Sequence, residues 1–322
     1  MWQAEQMAVV RPKERSLVDA LALSELLLAH AEARGTTALS VSVVHGPAVI
    51  LGAMQRTGRV VDLRACERAG AAVLRRATAG TAAWIGEAGI LVALALPHVA
   101  AIAEDATART LLNRNVRPFL RAFTRAGAMA HYFGREWISV RKRPAALVGF
   151  DVTRKGAVLI EVMMGFEQAI ALPVELATSD ERAVDRFMGK TPAGLSEIVS
   201  DQQCMQFAER LAQAMVPEGA NHILEEALVT KGANHFSAIT SDMDPLPIGF
   251  VPQTLVRVPI GYLETAVAQD DPAQSWLGGD VLAPRWLYAD VVAQRRSLSS
   301  RSVPIEGATL EDMLRAANAL NS

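Results

Sequence analysis

Residues 75–96 read Arg75-Arg76-Ala77-Thr78-Ala79-Gly80-Thr81-Ala82-Ala83-Trp84-Ile85-Gly86-Glu87-Ala88-Gly89 and then Ile90-Leu91-Val92-Ala93-Leu94-Ala95-Leu96. Two adjacent arginines open a run of small side chains, and a glycine-bounded turn leads into an uninterrupted apolar stretch. Such a stretch is the pattern of a strand covered on both faces. With Pro97 and His98 following, the apolar run from Gly89 to Ala103 is too short for a bilayer, which needs about 20 residues. Small side chains ahead of the strand let backbone amides approach a ligand, and the arginine pair can meet a carboxylate or phosphate. Arginine pairs also commonly close strand ends, and such a loop is equally the pattern of an ordinary turn between strands.

Working back toward the N-terminus, Ala72 to Arg75 reads as a strand and Asp62 to Gly70 as a short helix carrying Cys66. Ala38 to Met54 reads as two short strands joined at His45-Gly46-Pro47. Residues 16–33 place Leu17, Ala20, Leu21, Leu23, Leu27 and Leu28 at helical spacing, with Ser16 as N-cap, Asp19 in the first turn and Gly35 as the stop. Toward the C-terminus, residues 104–126 predict a helix with an arginine-rich outer face (Arg109, Arg114, Arg117, Arg121, Arg125), interrupted near Pro118. Glu136 to Val140, Ala145 to Val152 and Ala157 to Met163 are strands, with Arg154-Lys155-Gly156 as a turn. After Pro173 the pattern turns helical, at Asp180 to Phe187, Gly194 to Val199 and Asp201 to Met215. From Pro217-Glu218-Gly219 onward come β-like residues (Leu255 to Val267), a Gly278-Gly279-Asp280 turn, helices near Arg285 to Arg295 and Thr309 to Ala319, and a loop at Ser297 to Ser302.

The 322 residues carry 51% hydrophobic side chains, enough for a substantial core, and a formal charge of −2, which supplies no global field for nucleic acid or an anionic membrane. Cys66 and Cys204 lie far apart, and the six histidines show no metal-ligand spacing. Neither a disulfide framework nor a protein-bound metal is expected. Asn221-His222 and Asn234-His235 read as packing or turn residues, and Asp242, Asp244 and Asp280 lack calcium-loop spacing. The N-terminus lacks the basic-then-apolar pattern of a secretory signal, so a reducing cytoplasm is the expected location. Only five lysines occur, among them Lys142.

Taken in order, the helix, paired strands, short helix, Arg-Arg loop, long helix and later basic strand from Ser16 to about Met163 resemble the catalytic domain of the biotin and lipoate protein ligase superfamily, the lipoate-protein ligases most closely. Three segments carry the resemblance: Gly46-Pro47-Ala48-Val49-Ile50-Leu51-Gly52-Ala53-Met54-Gln55, Arg75 to Trp84, and Val140-Arg141-Lys142-Arg143. The resemblance implies an α+β fold with a mixed, mainly antiparallel sheet flanked by helices and a C-terminal extension. It implies Lys142 as the catalytic lysine contacting an activated carboxyl, and Gln55, Arg75, Arg76, Thr78, Gly80 and Ala82 as ligand-binding positions. Phe187 to Leu195 resembles the opening of the family's small accessory region, giving a division into 1–175, 176–218 and 219–322.

The chain departs from the family where Ala79 and Thr81 replace loop glycines and Ile85-Gly86 replaces a His-Asp pair. If those positions need positive φ, each added Cβ costs of order 1 kcal/mol. The implied activity is attachment of lipoate, or octanoate, to a lysine of a lipoyl-type acceptor domain through an acyl-adenylate, using ATP and Mg²⁺. An octanoyltransferase taking its acyl group from a carrier protein and a non-catalytic binding subunit are the alternatives. Lys142 in its basic triplet is also the pattern of a solvated strand edge.

Overall fold

Ser16 accepts the amide of Asp19, and Gly35 (φ 65°) closes the other end of the helix Leu17–Arg34 (α1), so the first helix forms between the caps its sequence supplies. The computed structural model describes residues 7–200, 203–216, 222–223, 244–293 and 303–318. Pro217-Glu218-Gly219, Asn221, Asn234-His235, Asp242 and Ser297 to Ser302 lie outside the described residues.

Leading strands are β1 (Met7–Glu14), β2 (Thr37–His45) and β3 (Ala48–Leu51), followed by helices α2 (Thr57–Val60) and α3 (Leu63–Arg68). Next come β4 (Ala72–Arg75), β5 (Ala83–Ile85), β6 (Ala88–Leu96), and helices α4 (Leu111–Asn115) and α5 (Arg117–Arg125). Strands β7 (Ala130–Tyr132), β8 (Trp137–Val140), β9 (Arg143–Val152) and β10 (Val158–Gly165) precede α6 (Ser179–Arg182), α7 (Cys204–Met215) and β11 (His222–Ile223). The C-terminal part holds β12 (Phe250–Arg257), β13 (Tyr262–Ala268), β14 (Ser275–Gly279), α8 (Arg285–Val292) and α9 (Leu310–Asn318).

Among the described residues the strands form three sheets. An eight-stranded sheet runs β11-β1-β2-β6-β10-β9-β8-β7, parallel where β1 meets β11 and β2, antiparallel elsewhere. Every residue of β6 is buried, as its unbroken apolar run predicts. One sheet face carries Leu39, Val41, Val43, Ile90, Val92 and Leu94 against α5 and α7. The other carries Ala38, Ala93, Ala95 and Leu159 under Leu23, Leu27, Leu28 and Ala31 of α1. A three-stranded sheet, β4-β3-β5, holds the small-residue loop, and the antiparallel β12-β13-β14 packs with α8 and α9 around their own apolar cluster.

The α+β architecture is the one expected. Several local readings are corrected. The strands on either side of His45-Gly46-Pro47 belong to different sheets, because β3 pairs with β4 and β5 rather than with β2. The helix expected over 104–126 divides into a short turn at Ala108–Thr110, α4 and α5, with Pro118 in the first turn of α5, where its missing N–H costs nothing. Asp180 to Phe187 supports only the single turn α6, and Gly278-Gly279 end a strand instead of forming a turn. Strand β1, with charged residues at Arg11, Lys13 and Glu14, gave no alternating signal.

Candidate functional site

Arg75 leaves the end of β4 and turns its guanidinium back on the segment that follows β3. Its Nη1 donates to the carbonyls of Gly52 (2.8 Å) and Gln55 (2.6 Å), and Nη2 donates to Thr57 Oγ1 (2.9 Å). Gln55 is fully buried and spends Oε1 on the Gly52 amide at 2.9 Å, closing its own turn. Its Nε2 is enclosed without a hydrogen-bond partner among the described residues.

Arg76 is among the largest fully buried side chains described, and the loop is wound around it. Nε donates to Thr78 Oγ1 (3.0 Å), while Nη2 donates to the carbonyls of Ala79 (3.2 Å) and Thr81 (2.9 Å). The Thr78 hydroxyl in turn donates to Glu161 Oε2 of β10 at 2.5 Å. Burial lowers the Arg76 guanidinium to about 10, against the pull of Glu161 and then Glu136, so it stays charged at neutral pH. The sequence reading did not single out Glu161. Its signal is a lone acid in the apolar strand Val158–Gly165, since a charge buried there needs a cationic or hydrogen-bonded partner.

Because the loop curls inward, only Gly80 needs its glycine. It sits at φ 114°, and a Cβ there would lie 2.9 Å from both Arg76 Nη2 and Leu282 Cδ2. Ala79 and Thr81 have no positive φ, so the backbone cost that their side chains would otherwise impose does not arise. A Cβ at Gly52 would meet the Gly80 carbonyl at 2.0 Å, so the two segments approach closer than any side chain allows.

The C-terminal part lies directly on this loop. The Gly279 amide donates to Met54 O at 2.8 Å, Arg56 pairs with Glu264 (2.6 Å), and the Thr57 amide donates to Asp244 Oδ2 (2.9 Å). Leu282 covers Gly80, and Arg285 Nε donates to Asp151 Oδ2 at 2.7 Å.

The structure places Lys142 apart from the loop residues. With Arg141 it forms the exposed two-residue turn between β8 and β9, at φ 67° and 50° respectively, closed by pairing of Val140 with Arg143. Both residues are exposed. Lys142 makes no hydrogen bond or ion pair among the described residues, whereas Arg75, Arg76, Thr78, Gly80 and Gln55 are brought together. Ala82, also buried, borders a cleft of about 220 Å³ beside the loop, whose lining includes Thr81, Leu172, Arg182, Phe187 and Lys190.

Both cysteines are buried. Burial, then Glu167 and Glu14, pushes the Cys204 thiol up to about 12, and its Sγ donates to Gly89 O at 3.6 Å. A thiolate nucleophile is disfavoured there. Among the described residues no group of three or more His, Cys, Asp or Glu is placed to hold a metal ion, and no helix is long and apolar enough to cross a membrane.

Residues 16–215 match the model of the lipoyl protein ligase A/B catalytic domain. The chain belongs to this family. Solved structures of similar fold include LipL1 of P. falciparum in complex with lipoate, at 15% identity and TM-score 0.64 over 86% of this chain and 85% of that one. A bipartite lipoate protein ligase and its E2 lipoyl domain from Thermoplasma acidophilum align at 15% identity and TM-score 0.58, over 75% and 99% of the two chains. Lipoate-protein ligase A bound with ATP aligns at 14% identity and TM-score 0.54, over 72% and 94%. At these identities the likeness is one of fold. No curated protein matches the chain.

Proposed function

We propose that this chain is a binding subunit built on the lipoyl ligase fold, which holds a lipoyl-type acceptor domain in the cytoplasm without activating an acyl group itself. The observation that supports this reading is the closure of the loop: both guanidiniums are occupied by Gly52, Gln55, Thr57, Thr78, Ala79 and Thr81, and Leu282 covers Gly80. A nucleotide phosphate needs donors that face it, and Thr78 and Ala79 have no exposed surface. Engaging a nucleotide phosphate through Arg75 or Arg76 would require the loop to give up those internal bonds.

The test is intact-mass spectrometry of a lipoyl acceptor domain incubated with the protein, ATP, Mg²⁺ and lipoate or octanoate, with size-exclusion chromatography of the same mixture. Co-elution without a mass gain is the expected result. An ATP-dependent gain of the acyl mass would overturn it.

A second reading, acyl transfer by the chain itself, is favoured by the cleft beside Thr81 and Ala82, where Leu172 and Phe187 supply apolar wall and Arg182 and Lys190 supply positive charge. That chemistry suits a lipoate or octanoate carboxylate on an apolar tail. Under this reading any mass gain disappears with Lys190→Ala and persists with Lys142→Ala.

A further inference from the structure

Strand β12 buries none of its residues, while its neighbour β13 buries nearly all of its own. Val251 to Leu255 are exposed in succession, and Ile248, just before the strand, is fully exposed. From Pro245 to Val256 the sequence contains no charged residue. β12 is a terminal strand of its sheet, so its outer edge meets no other strand among the described residues. Proteins protect such an edge with charge, brevity, proline or a bulge, because it is a template for pairing with another chain. Here the protection is Pro252, which brings no N–H, and the register shift between Pro252 and Leu255. Both interrupt a backbone ladder but leave the apolar side chains uncovered.

The charges at the two ends of the strand select what covers it. Arg257 closes β12, is exposed, and forms no ion pair or hydrogen bond among the described residues. At the other end Phe250 pairs with Ala268, and the Gln269 amide donates to Gly249 O at 2.8 Å. Asp270 follows directly, exposed and without a partner among the described residues, whereas the Asp271 carboxylate accepts the Ala273 amide and Gln274 Nε2. The length of the strand, roughly 24 Å at about 3.4 Å per residue, keeps Arg257 and Asp270 of one chain apart.

We infer that β12 docks a second copy of this chain, antiparallel across a two-fold axis, with Arg257 of each copy meeting Asp270 of the other. A parallel arrangement would set Arg257 against Arg257. The antiparallel one lays an uncharged stretch on an uncharged stretch and brings opposite charges together at both ends. A partner of unlike sequence has no reason to match this pattern, whereas a second copy matches it by symmetry. The contact is isologous and closes, since each copy spends its own β12 edge. The strand offers fewer residues than the roughly 20–30 a side of a standard interface, so the dimer is weak and concentration-dependent. This inference is independent of the subunit reading above.

Sedimentation velocity of the full chain over a concentration series tests this, with thermal melts of each variant to verify folding. The parent is expected to move from monomer toward dimer as concentration rises. Leu255→Lys places a charge inside the apolar stretch and is expected to weaken dimerisation at least tenfold. Arg257→Asp and Asp270→Arg each set like charges opposite one another at both ends, and each weakens it severalfold. The two combined recover the parent's association to within about twofold, which local damage from either change would not. A parent that is monomeric throughout the series overturns the inference, as does a dimer that Leu255→Lys leaves unchanged. Failure of the combined variant to recover association overturns the antiparallel arrangement and the inference with it. If the chain stays monomeric and instead binds a lipoyl-type domain in a manner that Leu255→Lys abolishes, β12 is a surface for that partner and the second copy is overturned.

Discussion

Arginine is used in two opposite ways in this chain. Arg75 and Arg76 are buried and their guanidiniums organise backbone, holding two loops against each other. Arg117, Arg121 and Arg125 stand exposed on one helix face and repel one another. The sequence presents both as basic clusters beside apolar residues. What separates them is the surroundings: carbonyl groups, Thr78 and Glu161 gather around the first pair, while the second cluster lies on an exposed helix face. A buried guanidinium must satisfy its donors, so its substitution is felt in folding; an exposed one is felt in association.

That contrast is most directly broken at Arg76. Arg76→Ala strands Glu161 and the carbonyls of Ala79 and Thr81, and is expected to destabilise the fold by about 3–5 kcal/mol, read as a lower urea midpoint. Arg76→Lys recovers only part of this, since one ammonium cannot reproduce the planar fork.

Glu136 extends the comparison to pH. Desolvation, reinforced by Asp280, raises its carboxyl from 4.5 to about 8 against the opposing pull of Arg186 and Arg135. The native state therefore binds a proton that the unfolded chain releases, so this contribution to stability is complete below about pH 4.5 and is lost as pH rises toward 8. Thermal melts between pH 5 and 8 should show a declining stability that Glu136→Gln flattens. A rising profile with no change in Glu136→Gln would remove Glu136 as its cause.

Gly80→Ala places a methyl between Arg76 and Leu282 at φ 114°, an expected loss of about 2 kcal/mol. Combining it with Leu282→Ala should recover part of that loss, and the double-mutant cycle measures how firmly the C-terminal part bears on the loop. A coupling near zero would mean that backbone strain at Gly80 accounts for the whole effect.

Smaller effects belong to the exposed positions. Lys142→Gly relieves a left-handed lysine and should raise stability by about 1 kcal/mol. Arg117→Glu should change the melting free energy by less than about 0.5 kcal/mol, since the residue is exposed and makes no ion pair among the described residues.

Local chemistry was readable from the chain. Ser16 and Gly35 delimit α1, Asp62 caps α3 by accepting the Ala65 amide, and the apolar run at Ile90 becomes the central strand β6, because each depends on neighbours a few residues away. The order of those elements also carried the ligase-family resemblance. Lys142 illustrates the limit: in sequence its triplet fits a catalytic lysine or a solvated edge equally, and only the fold shows that it stands exposed in a two-residue turn.

The sequence by itself determined the helix caps and the buried strands, and through its family resemblance implied the mainly antiparallel α+β class and a grouping of Gln55, Arg75, Arg76, Thr78 and Gly80. Only the tertiary structure decided what the arginines hold: Arg76 turns onto Thr78, Ala79 and Thr81 just after it, Arg75 onto Gly52, Gln55 and Thr57, and the contacts behind them reach much farther along the chain. Thr78 meets Glu161 from 83 residues away and Arg56 meets Glu264 from 208. No periodicity encodes those distances; packing of the C-terminal part against the loop sets them, and with them whether a guanidinium faces a ligand or its own backbone.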